Sequence, residues 1–405
     1  MITRLPSKGE AEARNARHLR HLNLERLLSA AMDRTEPFTR AELTEATALS
    51  APTVGTLTVE LIRNGLIRHL GTGPSRGGRR PSFMEFNARY GFVAGISLGA
   101  TKTRAALADL RGARLASRAW PTPAGLGPQA LLQKIAGYVK GLMGEAGIPA
   151  DKLLAVTAAA PGAVDQTKGT VIALVPNLKG WSQVPMGDIL KEAMGGVPVF
   201  VENDVNLAIV GERWQGAARG HNTCAFLYVG SGIGAGIVVN GELHRGHHHL
   251  AGEIALMCMG PQYIDENFGA TGCLESLASI KSLTARWAGG DNPGSPHREK
   301  RAEDLFAAAD KGEKRARKLV EDAARLVGIA ATNLSLVIDP SLLVLGGPVV
   351  EHEYFVDQVR EVVAKIIPSP PEILPAKLGK EAPLWGSLLL ATSEARVSLR
   401  ERLRT

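Results

Sequence analysis

Cysteine is nearly missing from this sequence: there are three in 405 residues, Cys224, Cys258 and Cys273. Three thiols cannot build a disulfide framework, which points to a reducing compartment, the cytoplasm. Long apolar runs are missing too. The nearest candidates, Ala225–Val239 and Leu334–Val350, are broken by glycines or by Asp339 and Pro340, short of the roughly 20 residues a spanning helix needs. The N-terminus is charged and leucine-spaced, with no apolar segment or cleavage site of the kind that marks a signal peptide. Low-complexity tracts are absent. So is a charge excess over most of the chain: the net charge is +7, and residues 1–89 hold 14 Lys and Arg against 9 Asp and Glu, leaving only +2 for the rest. A polyanionic partner is therefore expected for the first part alone. The length and an apolar content of 45% allow two or three domains.

What is present at the N-terminus is a punctuated helical pattern. His18–Asp33 reads as a helix, with Leu19, Leu22, Leu27 and Leu28 in an apolar stripe. Thr39-Arg40-Ala41-Glu42 is a capping box opening a short second helix that holds Leu43 and Ala46. Ser50 is a good N-cap for a third helix, Pro52 is tolerated in its first turn, and Gly65 after Asn64 marks its end. Val54, Leu57 and Leu61 line the inner face of that helix. Thr53, Gly55 and Thr56 then point outward, where small and hydroxyl side chains permit close approach to a groove. Leu66–Phe86 reads as a hairpin with the tip G-T-G-P-S-R-G-G-R-R-P, which carries Arg76, Arg79 and Arg80. Arginines on such a tip suit a narrow minor groove. A solvated three-helix module with a basic linker is the alternative; helix spacing and arginine wing together favour a winged helix-turn-helix over residues 1–88, with double-stranded DNA as partner.

Gly91–Leu110 alternates on both sides of Gly99-Ala100-Thr101-Lys102, a hairpin whose small tip can offer N–H groups to a phosphate. Leu131–Ala146 reads as a helix, and Leu153–Ala159 as a buried strand running into Pro161-Gly162. A β-branched run from Val199 ends on Glu202-Asn203-Asp204, ahead of a helical pattern. An amide and a carboxylate at the carboxyl edge of a sheet sit where open α/β sheets bind ligands, and an Asp there can take a proton from a hydroxyl. Alone, the pattern serves equally as a strand-end turn with Asp204 as helix N-cap. Ala225–Gly241 reads as strand, glycine loop, strand. Gly230, Gly232, Gly234 and Gly236 clear that loop for a phosphate or for another backbone. Further on, Glu299–Lys318 reads as a charged, solvated helical face and Leu319–Leu336 as a core helix. Ser341–Leu345 reads as a strand ending on Gly346-Gly347, and Pro383–Leu399 as a closing helix.

In order, the winged helix is followed by G-A-T-K at 99–102, P-G-A-V-D at 161–165, P-N-L-K-G-W at 176–181 and E-N-D-V-N at 202–206. Then come G-S-G-I-G-A-G at 230–236, A-G-E-I at 251–254, G-C-L-E at 272–275 and L-G-G-P at 345–348. The whole chain resembles the repressor–ORF–kinase (ROK) family, whose members with this N-terminus are transcription factors answering to sugars. The resemblance implies an α/β, actin-like ATPase fold of two lobes, 89–204 with 383–405 and 205–382, around a sugar cleft. Carried over motif by motif, Asn203 and Asp204 would hold sugar hydroxyls, with Asp204 in the place of the kinase base. Glu253 and Glu275 would accept from hydroxyls at the other end of the sugar, and Gly162 would give close backbone approach. Gly99, Thr101 and Lys102, with Gly230, Ser231, Gly232 and Gly234, correspond to the phosphate loops. Gly346 and Gly347 correspond to the turn that meets adenosine.

Two departures bear on function. The family's first phosphate motif opens with an aspartate that helps place the metal; here Ser97 stands there, and Ala100 replaces the second glycine. Phosphoryl transfer leans on that charge neutralisation, so catalysis is expected to be lost. ATP and Mg²⁺ are then cofactors only if the body still works as a kinase. The zinc ligands are gone as well. Ala255-Leu256 replaces Gly-His, Glu266 and Phe268 replace two cysteines, and only Cys273 remains of the four ligands needed. A structural zinc is expected to be absent, and Leu256 leaves one sugar contact unfilled or favours a less polar substituent. His244, His247, His248 and His249 read as a solvated loop, since adjacent histidines rarely converge on one ion. Cys224 and Cys258 are expected to pack as small hydrophobes.

The reading is a cytoplasmic, sugar-responsive DNA-binding regulator, a repressor, acting as a homodimer or dimer of dimers with no membrane partner. One alternative is an ATP-dependent sugar kinase with an attached DNA-binding module. Another is a regulator with a vestigial pocket that answers to a protein.

Overall fold

The computed structural model describes residues 8–72, 82–175, 178, 180–269, 271–289 and 302–403. Three helices come first, α1 (Lys8–Met32), α2 (Arg40–Thr47) and α3 (Ala51–Arg63), then a hairpin of β1 (Ile67–Thr72) and β2 (Ser82–Phe86). The capping box forms: the Thr39 hydroxyl accepts from the Glu42 N–H at 3.3 Å, and Glu42 Oε2 accepts from the Thr39 N–H at 2.6 Å. Ser50 caps α3 by accepting from the Thr53 N–H at 3.4 Å. Gly65 follows that helix at φ 74°, a left-handed turn glycine makes without steric penalty. Leu24, Leu27 and Leu28 pack with Phe38, Leu43, Val54, Leu57, Leu61 and Phe86 in one core. Leu19 and Leu22 do not join it; they are 58% and 42% exposed. The buried stripe begins at Leu24.

Two sheets of one design follow. In the first, β3 (Phe92–Leu98), β4 (Lys102–Asp109) and β5 (Arg114–Pro121) form an antiparallel meander. After α4 (Pro128–Glu145), β6 (Leu153–Ala160) pairs with β3 in parallel. A small hairpin of β7 (Ala163–Asp165) and β8 (Thr170–Ala173) and the helix α5 (Met186–Ala193) lead to β9 (Val199–Asn203), parallel to β6. Then α6 (Asp204–Gln215) precedes a second meander of β10 (Cys224–Val229), β11 (Ile233–Val239) and β12 (Glu242–Leu243). Four helices, α7 (Cys273–Ala278), α8 (Ile280–Trp287), α9 (Ala302–Asp310) and α10 (Lys314–Ile338), lead to β13 (Leu342–Gly346). After α11 (Glu353–Ile366), β14 (Glu372–Pro375) completes a parallel pair with β13. The strand orders, β5-β4-β3-β6-β9 and β12-β11-β10-β13-β14, are the same meander plus two parallel strands. The α/β duplication expected from sequence is present.

The last helix, α12 (Ala382–Arg402), joins the parts. It crosses α6 so closely that a Cβ on Gly386 would lie 1.9 Å from the Leu207 carbonyl oxygen, and one on Gly211 2.2 Å from that of Ala382. Leu384, Leu388, Ala391, Ala395 and Leu399 share a core with Val93 and Ala106 of the first sheet and with the buried leucines of α1. Arg400 donates to the Ser29 hydroxyl at 2.9 Å, and His21 Nδ1 lies 2.6 Å from the Leu403 carbonyl oxygen. The N-terminal module and the first sheet therefore have one continuous core.

Two expectations need correction. Cys258 is exposed, in a loop outside the cores, and its thiol donates to the Gly260 carbonyl at 3.1 Å; Cys224 is buried, and burial pushes its thiol up to about 11. Within Glu299–Lys318, Gly312 at φ 84° separates α9 from α10, and α9 buries Leu305 and Phe306 rather than presenting only a solvated face. Among the described residues no helix is long and apolar enough to cross a membrane.

Candidate ligand-binding cleft

The carboxyl edge of the first sheet opens onto a cleft of about 450 Å³ lined from both sheets. β9 delivers Asn203 to that edge, and α6 starts on Asp204. Asn203, not Asp204, is the N-cap, because its backbone is still extended while Asp204 is already helical. Asn203 Oδ1 accepts from the N–H groups of Val205 and Asn206 at 2.9 and 3.0 Å, and its Nδ2 donates to the Gly162 carbonyl at 2.9 Å. One amide proton is left for a ligand. Gly162 lies at φ 81°, and a Cβ there would meet the Ala173 carbonyl oxygen at 2.4 Å.

Three carboxyl groups face this cleft. Asp204 is half-buried, and burial pushes it up to about 7 against the pull of the Val205 N–H and its own. Glu253 hangs from the A-G-E-I turn. Burial first, then the charges of Asp204 and Glu275, push it up to about 7. Burial also raises Glu275, although its Oε2 accepts from the Ile233 N–H at 2.7 Å. That oxygen is committed to the glycine loop rather than open to a ligand. Carboxyl groups near neutrality can donate as well as accept hydrogen bonds.

A pH dependence follows. Asp204 and Glu253 are raised from ordinary values of 3.8 and 4.5 to about 7, so between those limits the folded chain holds protons that the unfolded chain has lost. Their stabilising contribution is full below about pH 4, declines as pH rises and is gone above about 7. The melting temperature is expected to fall between pH 5 and 8, and the double variant Asp204→Asn, Glu253→Gln to flatten that fall. A double variant with the parent's profile would show that these two groups do not set it.

Other residues, in the cleft lining or adjoining it, escaped the sequence reading. Glu202, 2% exposed, accepts at Oε1 from the Asn203 N–H and from Asn206 Nδ2 at 2.8 and 3.0 Å. Its Oε2 accepts from Arg245 Nε at 2.6 Å, tying the first sheet to the segment after β12. His249 was read as part of a solvated loop; His244, His247 and His248 are exposed, but His249 at φ 58° turns into the cleft. Its Nε2 lies 3.8 Å from Asp165 Oδ1, and its Nδ1 is buried without a partner among the described residues. Arg104, Tyr228 and Lys380 also line the cleft. The two-residue alternation from Lys102 along a strand could have found Arg104; nothing local marks Lys380 or His249.

The glycine loops divide. Gly99, Thr101, Lys102, Ser231, Gly232 and Gly234 line the cleft. The N–H of Gly99 closes its own turn onto the Lys102 carbonyl at 3.2 Å, and that of Gly230 onto the Gly232 carbonyl at 2.9 Å. Gly346 and Gly347 lie outside the lining. A Cβ on Gly346 would meet the Phe226 ring at 2.2 Å, and one on Gly347 the Val229 carbonyl oxygen at 2.1 Å, so close packing accounts for both glycines. Leu256 stands half in solvent at the cleft. The zinc set is not rebuilt elsewhere: among the described residues no three His, Cys, Asp or Glu side chains cluster to hold a metal.

On the N-terminal module, Ser50 and Thr56 are exposed and Thr53 is half-buried. A Cβ on Gly55 would meet nothing within 4 Å, so this face of α3 is open. Arg76, Arg79 and Arg80 lie outside the described residues.

Comparison with known proteins fits this architecture. The profile of the ROK family matches residues 93–394. The xylose repressor of Bacillus spizizenii (strain W23) is 28% identical over 372 residues, covering 89% of this chain and 93% of that protein. The ROK hexokinase structure from Thermus thermophilus is 32% identical with a TM-score of 0.64, and covers 76% of this chain and 99% of its own. A ROK family transcriptional regulator, described as a homologue of the E. coli MLC protein, superposes with a TM-score of 0.76 at 20% identity. It covers 96% of this chain and 99% of its own, a span that has to include the N-terminal module.

Proposed function

Because the chain belongs to the ROK family, we propose that it is a DNA-binding repressor answering to a sugar or sugar derivative held in its kinase-shaped body. One observation carries this. α12 begins at the cleft, with Pro383 in its lining, and ends against α1 of the winged-helix module. A ligand that binds one arrangement of the two lobes better than another can then bias the DNA-binding helices. The xylose repressor similarity, which runs over nearly all of that protein, supports the same reading. In the cleft, Asp204, Glu253, Glu275 and the spare amide proton of Asn203 suit a polyhydroxylated ligand, since each fixes a hydroxyl. Ser50, Thr53, Thr56 and the wing arginines would face DNA. A dimer would present two such modules about one helical turn apart. For a kinase, Asp204 is placed as a base, but Ser97 brings no carboxylate to place a metal against phosphates, so turnover is outside the proposal.

The test is fluorescence anisotropy of the full chain on its own upstream intergenic DNA, at fixed salt because phosphate contacts make affinity salt-dependent. Specific binding that one sugar weakens is the expected result. Binding that no sugar alters would overturn the effector half of the proposal. Absence of binding, with ADP release on a sugar panel, would replace the proposal by the kinase.

A further inference from the structure

Of three consecutive histidines, two face solvent, His247 against His248 edge to face with ring centroids 4.6 Å apart, and the third does not. His249 takes φ 58°, a left-handed turn, and its ring lines the cleft. The loop that carries it is fastened on both sides. Arg245 donates to Glu202 at 2.6 Å, the Ala251 N–H closes back on the Arg245 carbonyl at 3.2 Å, and the Gly252 carbonyl accepts from the Ala235 N–H at 2.7 Å. The ring stands between the lobes. Ile254, just beyond it in the chain, packs in the core of the second sheet. On the other side Asp165 ends β7, and Val164 of that strand packs with Val171 of β8 in the core of the first sheet. Asp165 is itself held: its Oδ1 accepts from the N–H groups of Thr167 and Lys168 at 3.1 and 3.2 Å, and its Oδ2 lies 3.2 Å from Lys168 Nζ. From His249 Nε2 to Asp165 Oδ1 the gap is 3.8 Å, wider than a hydrogen bond. At the opposite edge of the ring, Nδ1 is buried and has no hydrogen-bond partner among the described residues.

We propose that His249 is a specificity-determining residue of the cleft, whose Nδ1 accepts a hydrogen bond from one ligand hydroxyl while its Nε2–H points at Asp165 and joins the two lobes across the bound ligand. This rests on the reading that the cleft binds a sugar. A neutral imidazole has one donor and one acceptor nitrogen, and the partner of one decides the role of the other. Asp165 can only accept, so the proton goes to Nε2 and Nδ1 becomes an acceptor. A buried acceptor left unmade costs free energy that a ligand hydroxyl recovers. Asn203 has only a proton to offer, and Asp204 and Glu253, raised to about 7, can donate or accept. His249 instead demands a donor at one position. A site built to hydrogen-bond a hydroxyl rejects the analogue lacking it far more sharply than an apolar wall rejects an added group. The same hydroxyl fixes the proton on Nε2, so closing the gap to Asp165 is favoured when the ligand is in place. That is a contact made better in one lobe arrangement than in another, as an effector requires.

Isothermal titration of the full chain against free hexoses and pentoses first gives the sugar it holds most tightly; the probes are then that sugar and its singly deoxygenated and singly fluorinated analogues. One deoxy analogue is expected to bind at least about tenfold more weakly than the sugar, the scale of one hydrogen bond to a buried group. The fluoro analogue at the same position, which cannot donate, should bind as weakly. His249→Ala should weaken the sugar by the same factor and leave that one deoxy analogue unchanged, the mark of a direct contact in a double-mutant cycle. His249→Asn keeps a side-chain acceptor and tolerates a positive φ, so it should restore part of the discrimination. Asp165→Asn should lower it by a smaller factor; a melting curve on each variant confirms folding. Equal weakening of the sugar and of every analogue in His249→Ala would show a merely structural role and overturn the proposal, as would an unchanged affinity for the sugar. A fluoro analogue that binds like the sugar would overturn the acceptor role of Nδ1, and undiminished discrimination in Asp165→Asn would overturn the link between the lobes. In each of these cases sugar binding by the unaltered chain survives. No binding of any sugar would overturn the reading of the cleft and this proposal with it.

Discussion

Glu202→Ala is expected to lower the unfolding free energy by about 3–5 kcal/mol, the usual effect of removing one member of a buried, hydrogen-bonded ion pair. Glu202 is 2% exposed and both its oxygens are engaged. Its loss strands the Arg245 guanidinium, the Asn206 amide and the Asn203 N–H together, each of which would have to be rehydrated where little water reaches. Arg245 is 31% exposed on its side chain and can turn partly outward, which favours the lower end of that range. Urea unfolding of Glu202→Ala and of the milder Glu202→Gln measures the effect. A loss below about 1 kcal/mol in the alanine variant would mean that the pair behaves like an exposed one. Because Glu202 also accepts from the Asn203 N–H, ligand binding should weaken in both variants even where folding survives.

Gly252→Ala is expected to cost about 2–4 kcal/mol and to abolish ligand binding, combining a positive-φ penalty with a steric overlap. Gly252 sits at φ 89°, and an added Cβ would lie 1.9 Å from the Ala235 carbonyl oxygen. The Ala235 N–H donates to the Gly252 carbonyl at 2.7 Å, so the A-G-E-I turn cannot move away without breaking its tie to β11. The turn carries Glu253, and a shift there takes that carboxyl out of the cleft. Gly220 provides the comparison: it lies at φ 84° with nothing within 4 Å of an added Cβ, so Gly220→Ala isolates the backbone penalty, about 1 kcal/mol. Equal losses in the two variants would show that the clash is relieved and that only φ matters.

Much of the fold was legible because its signals are local. Thr39 with Glu42, and Ser50 with Thr53, are spaced for capping whatever surrounds them, and both caps form. Alternation around Gly99–Lys102 and the glycine loop at 230–236 marked the first hairpin of each meander. Where packing against a distant segment decides, the sequence is silent. Leu19 and Leu22 have the right spacing for a buried face, but nothing in α1 says where its partners end. The cleft shows the same division. Glu202, Asn203 and Asp204 adjoin one another, yet which of them caps the helix depends on where the strand stops. His249 reaches the cleft, and Arg245 reaches Glu202 beside it, from a loop whose course depends on the second sheet. Gly346 and Gly347 are conspicuous as a pair, but their reason is the Phe226 ring and the Val229 backbone, neither of which adjoins them in the chain.

The continuous core along α12 makes the DNA-reading module an extension of the first sheet rather than a bead on a tether. The 21 residues of α12 span about 30 Å, so a tilt of about 10° at its crossing with α6 would sweep its far end through about 5 Å. In a dimer two such arms would swing at once. Half-sites on DNA stand about 34 Å apart and admit little error, so a displacement of that order at each arm is enough to take both recognition helices out of register with the grooves. A stiff arm with its pivot next to the cleft would need no unfolding and no loop ordering to pass such a signal.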